Sequence, residues 1–216
     1  MRIALVEYGI GNVGSVANAL GRLGATPTIV GNGAQLLAFA PDCVVMPGVG
    51  AVGKALDLLR QRGLDTALNK IVRDGGTPFL GICVGMQVLA ETCEEFGEHR
   101  GLGWIPGCVR RLAKECSALR LPHVGWNEIS VRPGDSFLSG LDGEHFYFVH
   151  SFGMDCPAEF IAATAEYGSP FTAAVQRANI MGVQFHPEKS SSAGERVLRA
   201  FLERVRTLGR MSVQHA

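Results

Sequence analysis

The chain contains 216 residues with equal numbers of acidic and basic side chains, 20 of each, and 47% of its residues are hydrophobic. This apolar content excludes disorder over most of the chain, and a formal charge of zero gives no argument for nucleic acid or a membrane surface as a partner. No apolar run approaches the ~18 residues that a membrane-spanning helix requires, and the N-terminus is typical of a first strand rather than a signal peptide, so we expect a cytoplasmic domain.

The first half of the chain alternates predicted strands and helices. Its hydrophobic periodicity predicts strands at residues 2–7, 26–30, 42–46 and 78–82, and helices at residues 13–23, 51–61 and 64–74. This alternation is typical of βαβ units and predicts an α/β fold with an open, mostly parallel central sheet flanked by helices. Active sites of such sheets lie at the carboxyl ends of the strands.

The second half has a different pattern. Short strand-like segments separated by Pro and Gly across residues 102–184 predict an antiparallel extension packed on the main sheet. A last helix is predicted at about residues 192–208, with one apolar face. We therefore expect residues 1–208 to form a single domain and residues 209–216 to form a C-terminal tail.

One cysteine lies where a predicted strand meets a predicted helix. Cys83 follows the strand at 78–82, precedes a run of good helix formers, and has glycines at positions 81 and 85. This is the cysteine version of the G-x-S-x-G nucleophile elbow, in which the glycines relieve crowding at a strained turn. The start of the helix favours a thiolate, and the N–H of Val84 is placed to bind an oxyanion. The alternative is that Cys83, between two aliphatic residues, is a small core residue.

A second motif, Phe185-His186-Pro187-Glu188, follows about a hundred residues later. Residues two apart in an extended segment point the same way, so Glu188 can fix the tautomer of His186 while the other ring nitrogen faces the thiol. Together with Cys83 they supply the nucleophile, base and orienting acid of a catalytic triad. His150 is a weaker candidate base because no acid lies two residues after it, and it is alternatively a hydrogen-bonded core histidine.

Residues 9–14 match G-x-G-x-x-G, the dinucleotide-binding fingerprint, directly after a predicted strand. That fingerprint requires an acid about twenty residues later to bind the ribose, yet no Asp or Glu lies between Glu7 and Asp42. We therefore expect no nicotinamide or flavin cofactor and interpret the glycines as a tight turn. The six cysteines lack metal-ligand spacing, so we expect reduced thiols and no metal site.

The two catalytic motifs resemble those of the class I (triad) glutamine amidotransferases. The elbow G-I-C-V-G-M-Q at 81–87 and the later F-H-P-E-K-S carry this resemblance, which extends from residue 2 to about residue 207. Four further stretches are similar to the glutaminase subunits of imidazole glycerol phosphate synthase, from histidine biosynthesis: Y-G-I-G-N at 8–12, P-G-V-G at 47–50, P-H-V-G-W-N at 122–127 and Y-F-V-H-S at 147–151. The resemblance implies a flavodoxin-like fold of the class I glutamine amidotransferase type.

The resemblance also implies roles for further residues. It implies that backbone N–H groups of Gly48, Val49 and Gly50 complete the oxyanion hole with Val84, and we expect this segment to change orientation when a partner activates the enzyme. Substrate contacts are implied for Gln87, Glu95, His150 and Ser151, and partner contacts for Asn12, Trp126 and Lys189. From sequence alone, Glu95 is alternatively a solvated charge in an acidic cluster.

The activity implied by the resemblance is hydrolysis of L-glutamine to glutamate and ammonia through a thioester on Cys83. Because the chain ends about 28 residues after Glu188, we expect the ammonia to pass to a separate (β/α)8-barrel cyclase in a heterodimer. That cyclase makes imidazole glycerol phosphate and an aminoimidazole carboxamide ribotide. Three alternatives remain open, namely a glutaminase subunit of another synthase, a hydrolase or peptidase that acts alone, and a catalytically silent partner-binding module.

Overall fold

The computed structural model describes residues 1–112, 119–134 and 136–213. Five parallel strands form one part of its central sheet: β1 (Ile3–Val6), β2 (Thr28–Val30), β3 (Cys43–Gly48), β4 (Phe79–Cys83) and β14 (Ile180–Val183). Three antiparallel strands continue it: β9 (Ser130–Val131), β12 (Ile161–Tyr167) and β13 (Ser169–Arg177). The spatial order is β2-β1-β3-β4-β14-β13-β12-β9.

The central strands are covered on both faces. Every residue of β1, β3, β4 and β14 is buried, as expected for parallel strands between layers of helices. The helices are α1 (Val13–Arg22), α2 (Gly33–Phe39), α3 (Val52–Gln61), α4 (Leu64–Leu68), α5 (Val84–Gln87) and α6 (Ser191–Val213). A π-helical segment, Asn69–Asp74, continues α4, and 3-10 turns lie at Ala158–Phe160 and Pro187–Lys189.

Two small sheets lie beside the central one. The first pairs β8 (His123–Glu128) with β10 (His145–His150) in antiparallel register. The second has four strands in the order β11-β7-β5-β6, where β5 is Thr92–Cys93, β6 is His99–Arg100, β7 is Cys108–Arg111 and β11 is Phe152–Asp155. Strand β10 of the first sheet ends at His150 and β11 of the second begins at Phe152, so the two sheets are joined there by a single residue.

The predicted α/β fold with a mostly parallel sheet and an antiparallel extension is confirmed. The antiparallel extension differs from the prediction, because β9, β12 and β13 join the central sheet edge to edge instead of packing on it. Helix α2 was not predicted. Its start is set by Asn32, whose side chain accepts a hydrogen bond from the backbone N–H of Gln35 at 2.9 Å, and seven residues are too few for a clear helical period.

The last helix begins at Ser191 and extends to Val213, so residues 209–213 of the predicted tail continue it, while residues 214–216 lie outside the described residues. The apolar face predicted for it is buried. Five cysteines are free thiols, at positions 43, 83, 93, 108 and 156, and Cys116 lies outside the described residues. Within the described ranges, no helix combines the length and apolar character needed to cross a bilayer.

Candidate active site

The nucleophile turn has the strained geometry that the sequence predicts. Cys83, the last residue of β4, has φ 55° and ψ −111°, a conformation that residues with a side chain rarely adopt. A Cβ at Gly81 would collide with the carbonyl of Gly85, and a Cβ at Gly85 would collide with the carbonyl of Met46. Only glycine fits at either position, so the backbone is packed tightly around a strained residue, which is typical of functional sites.

His186 and Glu188 form a buried pair beside this turn. The Nδ1 of His186 donates to Oε1 of Glu188 at 2.8 Å, and both side chains are only 1% exposed. Burial disfavours the charged imidazolium, but interactions with Cys83 and Glu188 outweigh it and raise the pKa of His186 to about 9. Nε2 is the ring nitrogen that remains available to Cys83, and it makes no hydrogen bond of normal geometry within the described part of the chain. The pair therefore favours a protonated histidine near neutral pH.

The two side chains meet for a reason other than the predicted one. Residues Pro187–Lys189 form a 3-10 turn instead of an extended segment, and this turn brings the carboxylate back to the ring. Ser190 fixes the turn, because its hydroxyl donates to the carbonyl of His186 at 2.7 Å and accepts from the N–H of Tyr147 at 3.0 Å. The N–H of His186 in turn donates to the carbonyl of Tyr147 at 2.9 Å, so β10 holds the motif from the other side.

A cavity of about 140 Å³ opens over the sulfur of Cys83. This volume is below the ~300 to 1,000 Å³ of pockets for drug-sized ligands, so it suits a small molecule. Its lining includes nine of the predicted site residues: Val49, Gly50, Cys83, Val84, Gln87, Glu95, His150, Ser151 and His186. Glu188 lies behind His186, and Gly48 lies beside Cys83 through the pairing of β3 with β4. The described residues contain no group of His, Cys, Asp and Glu side chains suited to a metal ion.

Gln184 is a site residue that the sequence analysis missed. Its side chain is fully buried, and its Nε2 lies 3.7 Å from the Sγ of Cys83. Its Oε1 accepts from the Nε2 of Gln87 at 3.0 Å, and the same Nε2 donates to the carbonyl of Phe152 at 2.9 Å. The sequence contains one signal for Gln184, because its amide side chain directly follows the apolar run 180–183 and lies two residues before His186. Buried amides are hydrogen-bonded, and this one is bonded to the nucleophile.

The segment formed by residues 48–50, here called the oxyanion segment, lies against Cys83. A Cβ at Gly48 would collide with the hydroxyl of Tyr8 and the Cβ of Val84, so this glycine permits a close approach. Gly50 has φ +83°, a conformation that strains any other residue. The Tyr8 hydroxyl is fully enclosed, and burial, with Cys83 adding to it, raises its pKa well above its usual range. Val49 and Gly50 from this segment and Val84 from the start of α5 thus line the same cavity as Cys83.

A family model described as glutamine amidotransferase class-I matches residues 4–205. Over its full length the chain is 42% identical to imidazole glycerol phosphate synthase subunit HisH 2 of Vibrio vulnificus strain YJ016, and the match covers 100% of both chains. It is 44% identical to subunit HisH of Moorella thermoacetica over 96% of this chain and 97% of that protein. The chain belongs to the class-I glutamine amidotransferases, in the HisH family.

Solved structures support the fold of this HisH-family chain. PurLQS from Thermotoga maritima aligns with a TM-score of 0.74 at 18% identity, over 94% of this chain and 98% of that chain. The crystal structure of a glutamine amidotransferase aligns with a TM-score of 0.72 at 23% identity, also over 94% of this chain and 98% of that chain. At these identities the likeness concerns the fold alone.

His150 of this HisH-family chain has no nitrogen available to act as a base. Its Nδ1 contacts the carbonyl of Phe152 at 2.9 Å and its Nε2 contacts Nδ1 of His123 at 3.1 Å. Because the carbonyl only accepts, Nδ1 of His150 carries the proton, and His123 donates to its Nε2. Burial lowers the pKa of both rings to about 4, so both are neutral. The core-histidine alternative therefore fits the side chain of His150, although the residue also lines the cavity.

The three predicted partner-contact residues lie in different settings. Trp126 is 52% exposed and makes an edge contact with Tyr147, with ring centroids 6.3 Å apart. The Nζ of Lys189 lies 5.7 Å from the centroid of the same Tyr147 ring. Asn12 is half-buried, and its Nδ2 lies 3.5 Å from Oε1 of Glu188, so it also contacts the triad. This surface of the HisH-family chain is therefore continuous with the catalytic residues.

Proposed function

We propose that this chain is the glutaminase subunit of an imidazole glycerol phosphate synthase. It hydrolyses L-glutamine in the cytoplasm and supplies ammonia to a separate (β/α)8-barrel cyclase. The observation that carries the proposal is a cysteine at a strained turn, in one small cavity with a histidine that a buried carboxylate holds at 2.8 Å, in a chain 42% identical over its whole length to a HisH subunit. Residues 1–208 act as one domain.

In the first step, the thiolate of Cys83 attacks the γ-amide carbon of glutamine. The negative charge moves to the amide oxygen, where the N–H of Val84 and a backbone N–H of the oxyanion segment bind it. Interactions with Cys83 and Glu188 raise the pKa of His186, which supports His186 as the group that holds the proton while Cys83 attacks.

The tetrahedral intermediate then collapses. His186 gives its proton to the amide nitrogen, the C–N bond breaks, ammonia leaves, and a γ-glutamyl thioester remains on Cys83. The neutral imidazole next takes a proton from water, whose oxygen attacks the thioester carbon. Glutamate leaves, and the thiolate and imidazolium are restored. Glu188 stabilises the imidazolium in both halves and keeps the proton on Nδ1.

Recognition of glutamine uses the polar groups that border the cavity. Glu95 pairs with the α-ammonium group, and the backbone at His150 and Ser151 binds the α-carboxylate. Gln87 borders the cavity with its carbonyl oxygen, because both of its amide hydrogens are donated to protein acceptors. The partner cyclase docks on the face that carries Asn12, Trp126 and Lys189. The contact between Asn12 and Glu188 supports a direct effect of docking on the triad.

The test is glutamate release from L-glutamine by the purified chain, alone and with the candidate barrel cyclase loaded with its phosphoribosyl substrate. The proposal expects weak activity alone and a strong rise with the loaded partner. Cys83→Ser is expected to abolish hydrolysis and to keep partner binding. Turnover that is indifferent to the cyclase would direct the search to another synthase, and absence of turnover under every condition would refute the glutaminase assignment.

A further inference from the structure

Glu95 contacts two parts of the site at once. Its side chain borders the cavity that contains Cys83, and its Oε2 accepts a 2.8 Å hydrogen bond from the backbone N–H of Val52. Val52 is the first residue of α3, and the N-cap position before it is Ala51, which has no side-chain acceptor. Glu95 therefore provides, from a distant loop, the negatively charged cap that the local sequence of α3 lacks.

Val52 lies only two residues after the oxyanion segment. The other end of the segment is fixed, since Gly48 pairs with Cys83 in the ladder between β3 and β4. Between the two fixed ends lie only Val49, Gly50 and Ala51, and the positive φ of Gly50 turns the chain towards α3. The hydrogen bond from Val52 to Glu95 consequently restrains where the peptides of the oxyanion segment can point.

The loop that carries Glu95 is itself attached to α3 at two more points. The imidazole of His99 packs on Gly53, where an added Cβ would collide with the ring, and its Nε2 donates to the carbonyl of Glu95 at 3.0 Å. Arg60 donates to the carbonyl of Arg100. The side chain of His99 is thus half-buried and hydrogen-bonded. These contacts hold the backbone of the loop that carries Glu95 against α3.

We propose that Glu95 is a positioning residue for the oxyanion segment in addition to its part in substrate binding. One carboxylate oxygen accepts the hydrogen bond from the N–H of Val52, and the other accepts from the α-ammonium group of glutamine. Binding the ammonium fixes the half-exposed Glu95 side chain, and this in turn fixes the first turn of α3 and the peptides that precede it. Substrate occupancy and completion of the oxyanion hole are therefore linked through one carboxylate. This inference rests on the proposed function, under which Glu95 binds the ammonium.

The central experiment removes the N–H of Val52 and leaves Glu95 intact. Val52→Pro achieves this at the first helical position, where proline is favoured, and Ala51 already has the extended conformation (φ −78°, ψ 133°) that a following proline requires. Val52→Ala keeps the N–H and also trims the side chain, so it is the matched control. We expect kcat of V52P to fall about ten- to a hundredfold below that of V52A, with KM for glutamine changed by no more than about twofold.

A double-mutant cycle separates this role from a general loss of structure. In a Glu95→Ala background the restraint is already absent, so adding Val52→Pro is expected to lower kcat no more than adding Val52→Ala does. Glu95→Gln keeps a neutral acceptor for the N–H and loses the charge, so it is expected to raise KM strongly and to lower kcat less than Glu95→Ala. The Gln and Ala variants of Glu95 decide the question even where V52P is too unstable to assay.

Equal kcat values for V52P and V52A would overturn the inference, as would equal kcat values for the Gln and Ala variants of Glu95. Additive losses in the double mutant would do the same. An unmodified chain that fails to hydrolyse glutamine with its loaded partner would refute the proposed function instead. The two failures are therefore distinguishable by the activity of the unmodified enzyme.

Discussion

Replacing Glu188 with glutamine removes the charge that stabilises the His186 imidazolium and keeps the shape of the side chain. The carboxylate accepts from Nδ1 at 2.8 Å, and both side chains are 1% exposed, so solvent screens this interaction very little. An amide oxygen can still accept the hydrogen bond, which isolates the effect of charge. We expect the pKa of His186, raised to about 9 in the unmodified chain, to fall towards its ordinary value of 6.5.

The magnitude follows from the size of the shift. A change of one pKa unit corresponds to about 1.4 kcal/mol, so a fall of one unit or more marks the loss of a substantial charge interaction. The histidine must be protonated when ammonia leaves, so the alkaline limb of kcat/KM is expected at about pH 9 and is expected to move to lower pH by at least about one unit in Glu188→Gln. The maximum rate is expected to fall by about a hundredfold or more, because a neutral amide no longer stabilises the imidazolium that gives its proton to the leaving ammonia.

The assay is glutamate release by the activated complex, measured as kcat/KM from about pH 6 to about pH 10. Glu195→Gln, which removes an exposed carboxylate paired with Arg22, is the control for a simple change of net charge. Thermal unfolding gives a second readout. The contribution of His186 to stability is complete below its unfolded pKa of 6.5 and is lost as the pH rises through about 9, and Glu188→Gln is expected to weaken this dependence. An alkaline limb that stays at the same pH in Glu188→Gln would refute this account of the triad.

Three other predictions concern the surroundings of the triad. Gln184→Leu removes the amide group that contacts the sulfur of Cys83, so it is expected to slow alkylation of Cys83 by iodoacetamide. It is also expected to lower stability by about 1 to 3 kcal/mol, since the amide of Gln87 loses its acceptor. An unchanged alkylation rate would contradict the contact with the sulfur. Gly85→Ala is expected to cost several kcal/mol in denaturant unfolding because of its collision with a backbone carbonyl, whereas Gly21→Ala, with open space inside α1, is expected to stabilise by up to ~1 kcal/mol. Trp126→Ala is expected to weaken cyclase binding by about 2 kcal/mol in calorimetry without changing the melting temperature, and equal affinity would remove Trp126 from the interface.

Local rules of sequence were sufficient for the nucleophile turn and the alternating half of the fold. The glycines at 81 and 85 predict a tight elbow because their effect acts within a few residues, and the structure has that elbow. The pairing of His186 with Glu188 was also predicted, although the backbone between them is a 3-10 turn. These features share one property: each depends on residues that lie close together in the sequence.

Features that depend on distant partners could not be predicted in the same way. Gln184 contacts a sulfur 101 residues earlier in the chain, and its amide gives no sign of this in sequence. The sequence around His99 does not indicate what its ring contacts, and only the folded loop places that ring on Gly53. The short helix α2 depends on one Asn cap. In each case tertiary contact decides the role of a residue whose local pattern is neutral.

The hydrogen bonds of Gln87 have a consequence for the polarity of the site. A side-chain amide has two faces of similar shape, one that donates and one that accepts. Both donors of Gln87 are used by protein acceptors, one by the carbonyl of Phe152 and one by the oxygen of Gln184. Gln184 can accept that bond in only one orientation, and this orientation turns its NH₂ group to Cys83. A residue at position 87 that cannot donate frees the second amide to flip and present oxygen to an anionic sulfur. The carbonyl of Phe152, in β11, fixes the orientation of Gln87, and Gln87 fixes that of Gln184. A backbone group in β11 thus decides which end of the Gln184 amide dipole the thiolate meets.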